Sequence, residues 1–282
     1  MKAKLDCVPC VLRQVLRGAR YAYLPEETQE RVIRESMKAI NKISWKVTPP
    51  ELAHVAHGIL RKYAQGDPYM DIKMKSNDEA LALYTSLKER VENSSDSLLT
   101  AVKIAIAGNI IDFGAMSESE IKISETVEHV LKNDFAINYY EQFKEDLKSA
   151  KRILYFADNA GEIVFDKLLI ETLRKMKDYR ITLVVKAGPI INDATMIDVN
   201  YVGLNEMVDE VRFISNGEYG HERNSKEVHG WIKNHDMIIS KGQGNYEGLS
   251  EFSGIYYLLM VKCPVVAEDI GANVGDVVLL YK

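Results

Sequence analysis

Short apolar runs alternate with helical patterns in the second half of the chain, and this alternation constrains the fold more than any other feature. The predicted strands cover residues 153–157, 181–185, 211–214, 237–239 and 264–267, with 277–281 as a sixth candidate. Helical spacing of apolar residues falls between several of these runs, most clearly in residues 163–176. Strands that alternate with helices are typical of a parallel sheet covered on both faces. We therefore expect an α/β fold with a Rossmann-like, mostly parallel sheet.

The first half of the chain is predicted to be helical, because its apolar residues recur at helical spacing. Ser76 and Glu79 have the spacing of a capping box, which predicts the start of a helix there. The segment 98–111 is apolar nearly all round, as is typical of a helix buried in the middle of a domain. The chain is thus expected to consist of an N-terminal helical domain, residues 1–150, and a Rossmann-like α/β domain, residues 151–282.

Composition and charge exclude several classes of protein. The 282 residues carry a net charge of -5, whereas a nucleic-acid-binding surface needs a basic excess. No apolar run approaches the roughly 18 residues that span a bilayer, and the N-terminus lacks the apolar stretch of a signal peptide. We expect no nucleic-acid partner, no membrane contact and a cytoplasmic location. Small anionic partners are compatible with this charge, because a metal ion or a cluster of N–H donors binds them locally.

Polar residues follow two of the predicted strands. Asp158 and Asn159 come directly after the run 153–157, and Asp193 follows the run 181–185. Ligands of doubly wound sheets bind at the carboxyl ends of the strands, so these side chains are expected at one edge of the sheet. Asp and Asn supply the hard oxygen ligands that Mg²⁺ and Mn²⁺ prefer, and two converging carboxylates repel each other unless a cation lies between them. The alternative is that each residue only caps a helix or forms a turn.

A third motif, Lys241-Gly242-Gln243-Gly244-Asn245, follows the run 237–239. Its glycines leave backbone N–H groups free to face an anion, and its lysine adds a positive charge. The spacing matches neither the Walker A pattern nor the dinucleotide fingerprint, so the glycine pattern alone is weak. Beside two acidic strand ends, the motif is expected to form the phosphate-binding half of a metal-phosphate site for phosphoryl transfer.

Other polar residues are expected to contribute to the same site. Asn109 and Asp112 end the buried apolar segment and must find partners, which a cleft between the two domains would provide. A water would attack the phosphate in line, and Glu162 and Asp198 are candidate bases for that water.

Cysteines and histidines form no evident cluster of metal ligands in the sequence. Cys7 and Cys10 share a face of the first predicted helix, where metal binding, redox exchange and simple burial all fit the spacing. His54 and His57 lie three residues apart on another predicted helix, and an exposed face is expected for them.

Six motifs occur in one order over nearly the whole chain: Asp6-Cys7-Val8-Pro9-Cys10, Gly66-Asp67-Pro68-Tyr69, Ala107-Gly108-Asn109-Ile110-Ile111-Asp112, Asp158-Asn159-Ala160-Gly161-Glu162, the segment from Gly188-Pro189 to Thr195, and Lys241-Gly242-Gln243-Gly244-Asn245-Tyr246-Glu247. In this order they resemble the DUF89 family, also called damage-control phosphatases. The resemblance is strongest to subfamily I, the short archaeal-type members. Each motif is short, and the combination is specific.

The resemblance implies a metal-dependent phosphatase that acts on small phosphometabolites, sugar phosphates among them. It implies that Asp158, Asn159 and Asp193 hold the metal, which would be Mg²⁺, Mn²⁺, Co²⁺ or Ni²⁺, and that the Lys241 loop binds phosphate. The expected catalytic residues are Asp158, Asn159, Asp193 and Lys241, and the expected substrate-binding residues are Asn109, Asp112, Glu162, Lys241, Gly242, Gln243, Gly244 and Asn245. The alternatives are an S-adenosylmethionine-dependent carboxyl methyltransferase and a non-catalytic metabolite-binding module.

Overall fold

The structure, a computed structural model, describes residues 1–111 and 123–282, so the predicted site residue Asp112 lies outside the described residues. The helices are α1 (Cys7–Tyr21), α2 (Glu26–Lys42), α3 (Pro49–Tyr63), α4 (Met70–Glu92), α5 (Ser97–Gly108), α6 (Ile123–Lys132), α7 (Tyr140–Ser149), α8 (Glu162–Met176), α9 (Met196–Tyr201), α10 (Lys226–Lys233), α11 (Gln243–Leu249) and α12 (Pro264–Ile270). The strands are β1 (Ile137–Asn138), β2 (Arg152–Phe156), β3 (Arg180–Lys186), β4 (Glu210–Ile214), β5 (Met237–Lys241), β6 (Ile255–Met260) and β7 (Val277–Tyr281).

The strands form one seven-stranded sheet in the order β1-β7-β6-β5-β2-β3-β4. Only the pair β6–β7 is antiparallel among the described strands. In the centre of the sheet, Ile153 of β2 pairs with Ile181 of β3 on one side and with Met237 of β5 on the other. The carboxyl ends of β2, β3 and β5 therefore lie side by side at one edge. The predicted α/β class with a mostly parallel sheet is confirmed.

Five of the six predicted strands are present in the structure. The four runs that were predicted between residues 153 and 239 lie in β2, β3, β4 and β5, and the sixth candidate is β7. The prediction of a strand at 264–267 is wrong, because these residues begin α12. Pro264 occupies the first turn of that helix, where no backbone N–H is needed. The true strand, β6, precedes it and was missed.

The two faces of the sheet are covered by different helices. Alternate strand residues point to opposite faces, so Tyr155 of β2 packs with α4, α5 and α8, whereas Leu154 and Phe156 pack with α10, α11 and α12. A third apolar cluster joins α1, α2 and α3. Helix α5 is buried along most of its length, as its apolar sequence predicted.

The start of α4 differs from the prediction. Ser76 lies in the second turn of a helix that begins at Met70, so the predicted capping box at Ser76 and Glu79 is wrong. A capping box is present instead at Thr48 and Glu51, at the start of α3. The spacing alone does not distinguish a helix start from a helix interior.

The proposed domain boundary at residue 150 stays a prediction. The short strand β1, which precedes that boundary, pairs with β7 at the edge of the sheet. None of the helices in residues 1–111 and 123–282 is both long enough and apolar enough to cross a membrane. 

Candidate active site

The segments after β2 and β3 are tied together at the edge of the sheet. The Asp158 carbonyl accepts a hydrogen bond of 2.8 Å from the Ala194 backbone N–H. An isolated antiparallel β-bridge pairs Asn159 with Asp193. The structure therefore brings together the chain segments that carry the three predicted metal ligands, Asp158, Asn159 and Asp193.

The amide of Asn159 has a defined orientation. Its Nδ2 donates to Asp158 Oδ2 at 2.8 Å and to Glu162 Oε2 at 3.0 Å. An amide oxygen cannot donate to a carboxylate, so the Asn159 side chain must direct its Nδ2 toward Asp158 and Glu162. The Asn159 Oδ1 therefore lies on the other side of the amide group, away from both carboxylates. Asn109 adds to the same network, because its Nδ2 lies 3.2 Å from Asp158 Oδ2 and 2.9 Å from Glu162 Oε2.

These residues fit a divalent metal. Asp158 is 7% exposed and the Asp193 side chain is 18% exposed, so both are partly shielded from water. Their carboxylates and the Asn159 amide oxygen are hard donors of the type that Mg²⁺ and Mn²⁺ prefer. Among the described residues, no group of three His, Cys, Asp or Glu side chains could hold a metal. Asn159 as the third ligand stays a prediction.

Lys241 does not face the site but is directed into the core. Its Nζ donates to Glu162 Oε1 at 2.7 Å, to Asp166 Oδ1 at 2.6 Å and to the Ala105 carbonyl at 2.8 Å, and the residue is fully buried. Burial lowers the pKa of Lys241, but the Asp166 and Glu162 carboxylates outweigh burial and raise the pKa above its usual value. An ammonium group has three N–H donors, and all three are in use. The predicted contact of Lys241 with phosphate stays a prediction, and it would have to replace one of these three hydrogen bonds.

The loop after β5 approaches the acidic residues through its backbone. Gly242 has a φ of +76°, and a Cβ at this position would lie 1.8 Å from Asp158 Oδ2. Only glycine permits this approach. Asn245 donates to the carbonyls of Ala157 and Lys241 at 2.9 and 3.0 Å, which fixes the loop to the end of β2.

Arg223 is a buried cation that the sequence did not indicate. It is 8% exposed and no ion pair joins it to a carboxylate of the described residues. Its Nη2 donates to Asn245 Oδ1 at 2.9 Å, while its Nε has no partner in the structure. Burial lowers the pKa of Arg223, and the nearby charges of Asp193 and Asp158 act in the opposite direction. A buried guanidinium with unused donor capacity is suited to binding an anion.

Lys186 is a second cation at the site. It is 5% exposed, and its Nζ lies 3.2 Å from Asp193 Oδ2. Burial, followed by repulsion from Arg223, lowers the pKa of Lys186 to about 8, although Asp193 opposes the shift. Its position at the end of β3, just before Ala187 and Gly188, is a signal that could have found it. Arg223 lies in a polar segment that reads as a surface loop, and no pattern there predicts its burial.

A match to a protein family accompanies this geometry. The family model described as the damage-control phosphatase ARMT1-like domain matches residues 3–278. The chain belongs to this family. The resemblance that the sequence motifs indicated is confirmed.

Three archaeal relatives cover almost the whole chain. An uncharacterized protein of Methanocaldococcus jannaschii is 37% identical over 100% of this chain and 96% of its own length. A protein named damage-control phosphatase from Archaeoglobus fulgidus is 33% identical over 99% of this chain and 98% of its own length. The crystal structure of a DUF89 family protein from Pyrococcus horikoshii superposes with a TM-score of 0.86 at 32% identity, and covers 100% of this chain and 99% of that one.

In this member of the damage-control phosphatase family, both candidate bases, Glu162 and Asp198, already form hydrogen bonds within the protein. Glu162 is fully buried, and its two oxygens accept from Lys241, Asn109 and Asn159. Asp198 is also fully buried and forms a capping box with Thr195 at the start of α9. Protein groups therefore occupy both carboxylates, and the role of either one as a base stays a prediction.

The two histidines of α3 are buried, so the prediction of an exposed face is wrong. His54 is 8% exposed and His57 is 2% exposed, because α3 packs against α2 and α11. Burial lowers the pKa of His54 to about 2 and that of His57 to about 3, so both rings are neutral at physiological pH.

The Gln243 side chain contacts one of the three cysteines, Cys263. The Gln243 side chain donates to Glu247 Oε1 at 3.2 Å and to Cys263 Sγ at 3.3 Å. The predicted role of Gln243 in substrate binding stays a prediction. Burial raises the pKa of the half-buried Cys7 and Cys263, so both are thiols at neutral pH.

Proposed function

We propose that this protein is a metal-dependent phosphatase of small phosphorylated metabolites, with the active site at the carboxyl ends of β2, β3 and β5. One observation carries the proposal. The backbone segments of Asp158, Asn159 and Asp193 are paired at one edge of the sheet, and the buried cations Lys186 and Arg223 interact with the charges of Asp158 and Asp193. Family membership and the names of the archaeal relatives support the same reaction class.

The substrate phosphate is assigned to the two buried cations and not to Lys241. The guanidinium of Arg223 is held by Asn245 near the charges of Asp158 and Asp193, and Lys186 lies beside Asp193. Both can neutralise phosphate oxygens as negative charge builds up during transfer. Their burial strengthens these contacts, because water is largely excluded from the pair.

The metal is assigned to Asp158, Asn159 and Asp193. When bound there, a divalent cation supplies Lewis-acid withdrawal of charge from the phosphate. This oxygen donor set is compatible with Mg²⁺, Mn²⁺, Co²⁺ and Ni²⁺. We also propose that the protein is cytoplasmic. The chain itself contributes the orientation of the ligands. Hydrogen bonds from Asn109 and Asn159 hold the Asp158 carboxylate in place.

Lys241 is assigned a positioning role. It fixes Glu162, and Glu162 in turn accepts from Asn159 Nδ2 and so sets the direction of the Asn159 amide. Gly242, the next residue, allows the loop to pass directly over Asp158. In this proposal, Lys241 and Gly242 of the predicted phosphate loop position the metal ligands Asn159 and Asp158.

The proposal is tested by the hydrolysis of 4-nitrophenyl phosphate with and without divalent metal. Asp158→Asn keeps the shape of the side chain but removes its charge, and we expect a loss of at least about a hundredfold in kcat/KM. Asp178→Asn is the matched control, because that side chain is fully exposed. Hydrolysis that survives both EDTA and Asp158→Asn would contradict the proposal.

A further inference from the structure

Asn77 lies in α4, outside the sheet, yet its side chain reaches both segments that carry the proposed metal ligands. The residue is fully buried. Its Oδ1 accepts a hydrogen bond of 2.6 Å from the backbone N–H of Gly161, at the end of the loop that begins with Asp158. Its Nδ2 donates to Asp198 Oδ1 at 3.0 Å, in the helix that follows Asp193. One amide group therefore joins the segment after β2 to the segment after β3.

The contact with Gly161 replaces a helix cap that the local sequence does not supply. Gly161 is the N-cap residue of α8 and makes no side-chain cap. In a capping box, the side chain at the third helical position accepts from the N-cap N–H, but that position is Val164 here. Asn77 accepts from this N–H instead. The first turn of α8 contains Glu162, so the contact also holds a residue that orients the Asn159 amide.

The loop after β2 is packed directly against α4 at the same point. A Cβ on Gly161 would lie 2.9 Å from Ser76 Cβ and 3.0 Å from the Ser76 carbonyl oxygen. Gly161 is itself buried, so its N–H faces protein and needs a protein partner. The neighbour of Ser76 in the sequence, Asn77, is that partner. The position of the loop thus depends on α4.

The contact with Asp198 meets an ionic network that fixes the start of α9. Asp198 Oδ2 accepts from the Thr195 backbone N–H and from its hydroxyl, both at 2.8 Å. Lys73, one turn before Asn77 in α4, places its Nζ 3.0 Å from the same oxygen, and both charged groups are almost fully buried. Buried ion pairs of this kind are costly to break. Thr195 lies two residues after Asp193, so the network restricts where the segment after β3 runs.

We propose that Asn77 is a positioning residue for the metal site, which fixes the separation of Asp158 and Asp193 by holding Gly161 and Asp198 against α4. This inference rests on the proposed function, because it concerns how the proposed ligands are arranged before a cation binds. Ligands that are already held in place bind a cation more tightly, because less conformational freedom is lost on binding. Asn77 takes no part in the chemical step.

A purely structural role for Asn77 is the alternative, and Tyr84 provides the comparison. Tyr84 also lies in α4, and its hydroxyl donates to Glu171 Oε2 of α8 at 2.6 Å. Both residues therefore tie α4 to α8, but Tyr84 does so in the middle of α8 and not at the loop that carries Asp158. Asn77→Ala and Tyr84→Phe both remove a tie between these helices. Only Asn77→Ala releases the two segments of the proposed metal site.

The test is a calorimetric titration of the whole, metal-free chain with Mn²⁺. We expect Asn77→Ala to raise the Kd for Mn²⁺ by at least about tenfold. Tyr84→Phe should change that Kd by less than about threefold, although both variants should lower the midpoint of urea unfolding. Asn77→Ser is a milder change with the same expected loss of affinity, and it decides the question if Asn77→Ala does not fold.

The outcomes separate the inference from the function on which it rests. If the wild-type protein binds no Mn²⁺, the proposed metal site fails and the inference fails with it. If the wild type binds Mn²⁺ and hydrolyses 4-nitrophenyl phosphate, but the Asn77 variants bind Mn²⁺ as tightly as the wild type, only the inference is overturned. The same holds if Tyr84→Phe weakens binding as much as the Asn77 variants do. If the wild type binds Mn²⁺ without hydrolysing the ester, the proposed function fails, while a loss of affinity confined to the Asn77 variants still supports the positioning role.

Discussion

At the scale of single residues, the site depends on how closely the loop after β5 approaches Asp158. Gly242 has a positive φ and leaves no room for a side chain beside the Asp158 carboxylate. Gly244, two residues further on, has no atom within 4 Å of the position of a Cβ and lies in α11. The two glycines belong to one motif, but only at Gly242 do the backbone conformation and the close approach to Asp158 require a glycine.

Alanine substitutions at these two positions should therefore differ. Gly242→Ala places a methyl group against Asp158 and requires a backbone conformation that favours glycine, so we expect a loss of roughly 1–3 kcal/mol of stability. The hydrolysis of 4-nitrophenyl phosphate should fall with it, because Asp158 is displaced. Gly244→Ala is the control and should retain both the stability and the hydrolytic activity of the wild type. Urea unfolding and kcat/KM measure the difference, and equal behaviour of the two variants would contradict this account of the loop.

At the scale of elements, a buried ionic network joins β5 to α8 and α5. Lys241 of β5 contacts Glu162 and Asp166 of α8 and the Ala105 carbonyl of α5. Burial is the main reason why the pKa of Asp166 is raised, to about 6, although the Lys241 charge opposes that shift. The network holds α8 in the orientation that presents Glu162 to Asn159.

Lys241→Met tests whether this lysine is structural. The change leaves two buried carboxylates without their cation, and we expect it to cost roughly 3–5 kcal/mol in the free energy of unfolding. Lys175→Met is the control, because its ion pair with Glu92 is about half exposed and should contribute less than about 1 kcal/mol. Urea unfolding gives both values. A Lys241→Met protein as stable as the wild type, with only a raised KM, would instead support the contact with phosphate.

At the scale of the whole molecule, the sequence predicts which segments meet at the edge of the sheet better than it predicts where the buried cations lie. Asp158 and Asp193 each follow a strand within a few residues along the chain. The rule that ligands bind at the carboxyl ends of parallel strands is therefore enough to predict that both residues lie at one edge of the sheet. Placing Lys241 and Arg223 requires the order of the sheet, in which β5 lies beside β2 and not beside β4. Residue spacing does not encode that order.

The same limit explains which elements were missed. The alternation of strands and helices predicts the fold class, because it depends on local periodicity. The assignment of 264–267 failed because an apolar run of this length fits either a strand or a buried helix. The burial of His54 and Arg223 depends on how α3 packs against the segment that precedes α10, which is a tertiary contact.

The most direct test of the central claim is the anomalous diffraction of a crystal of the protein soaked in Mn²⁺. We predict one strong peak bonded to oxygens of Asp158, Asn159 and Asp193, at distances of about 2.0–2.3 Å. A saturating soak that leaves this position without a peak, or places the ion on other residues, would contradict the account.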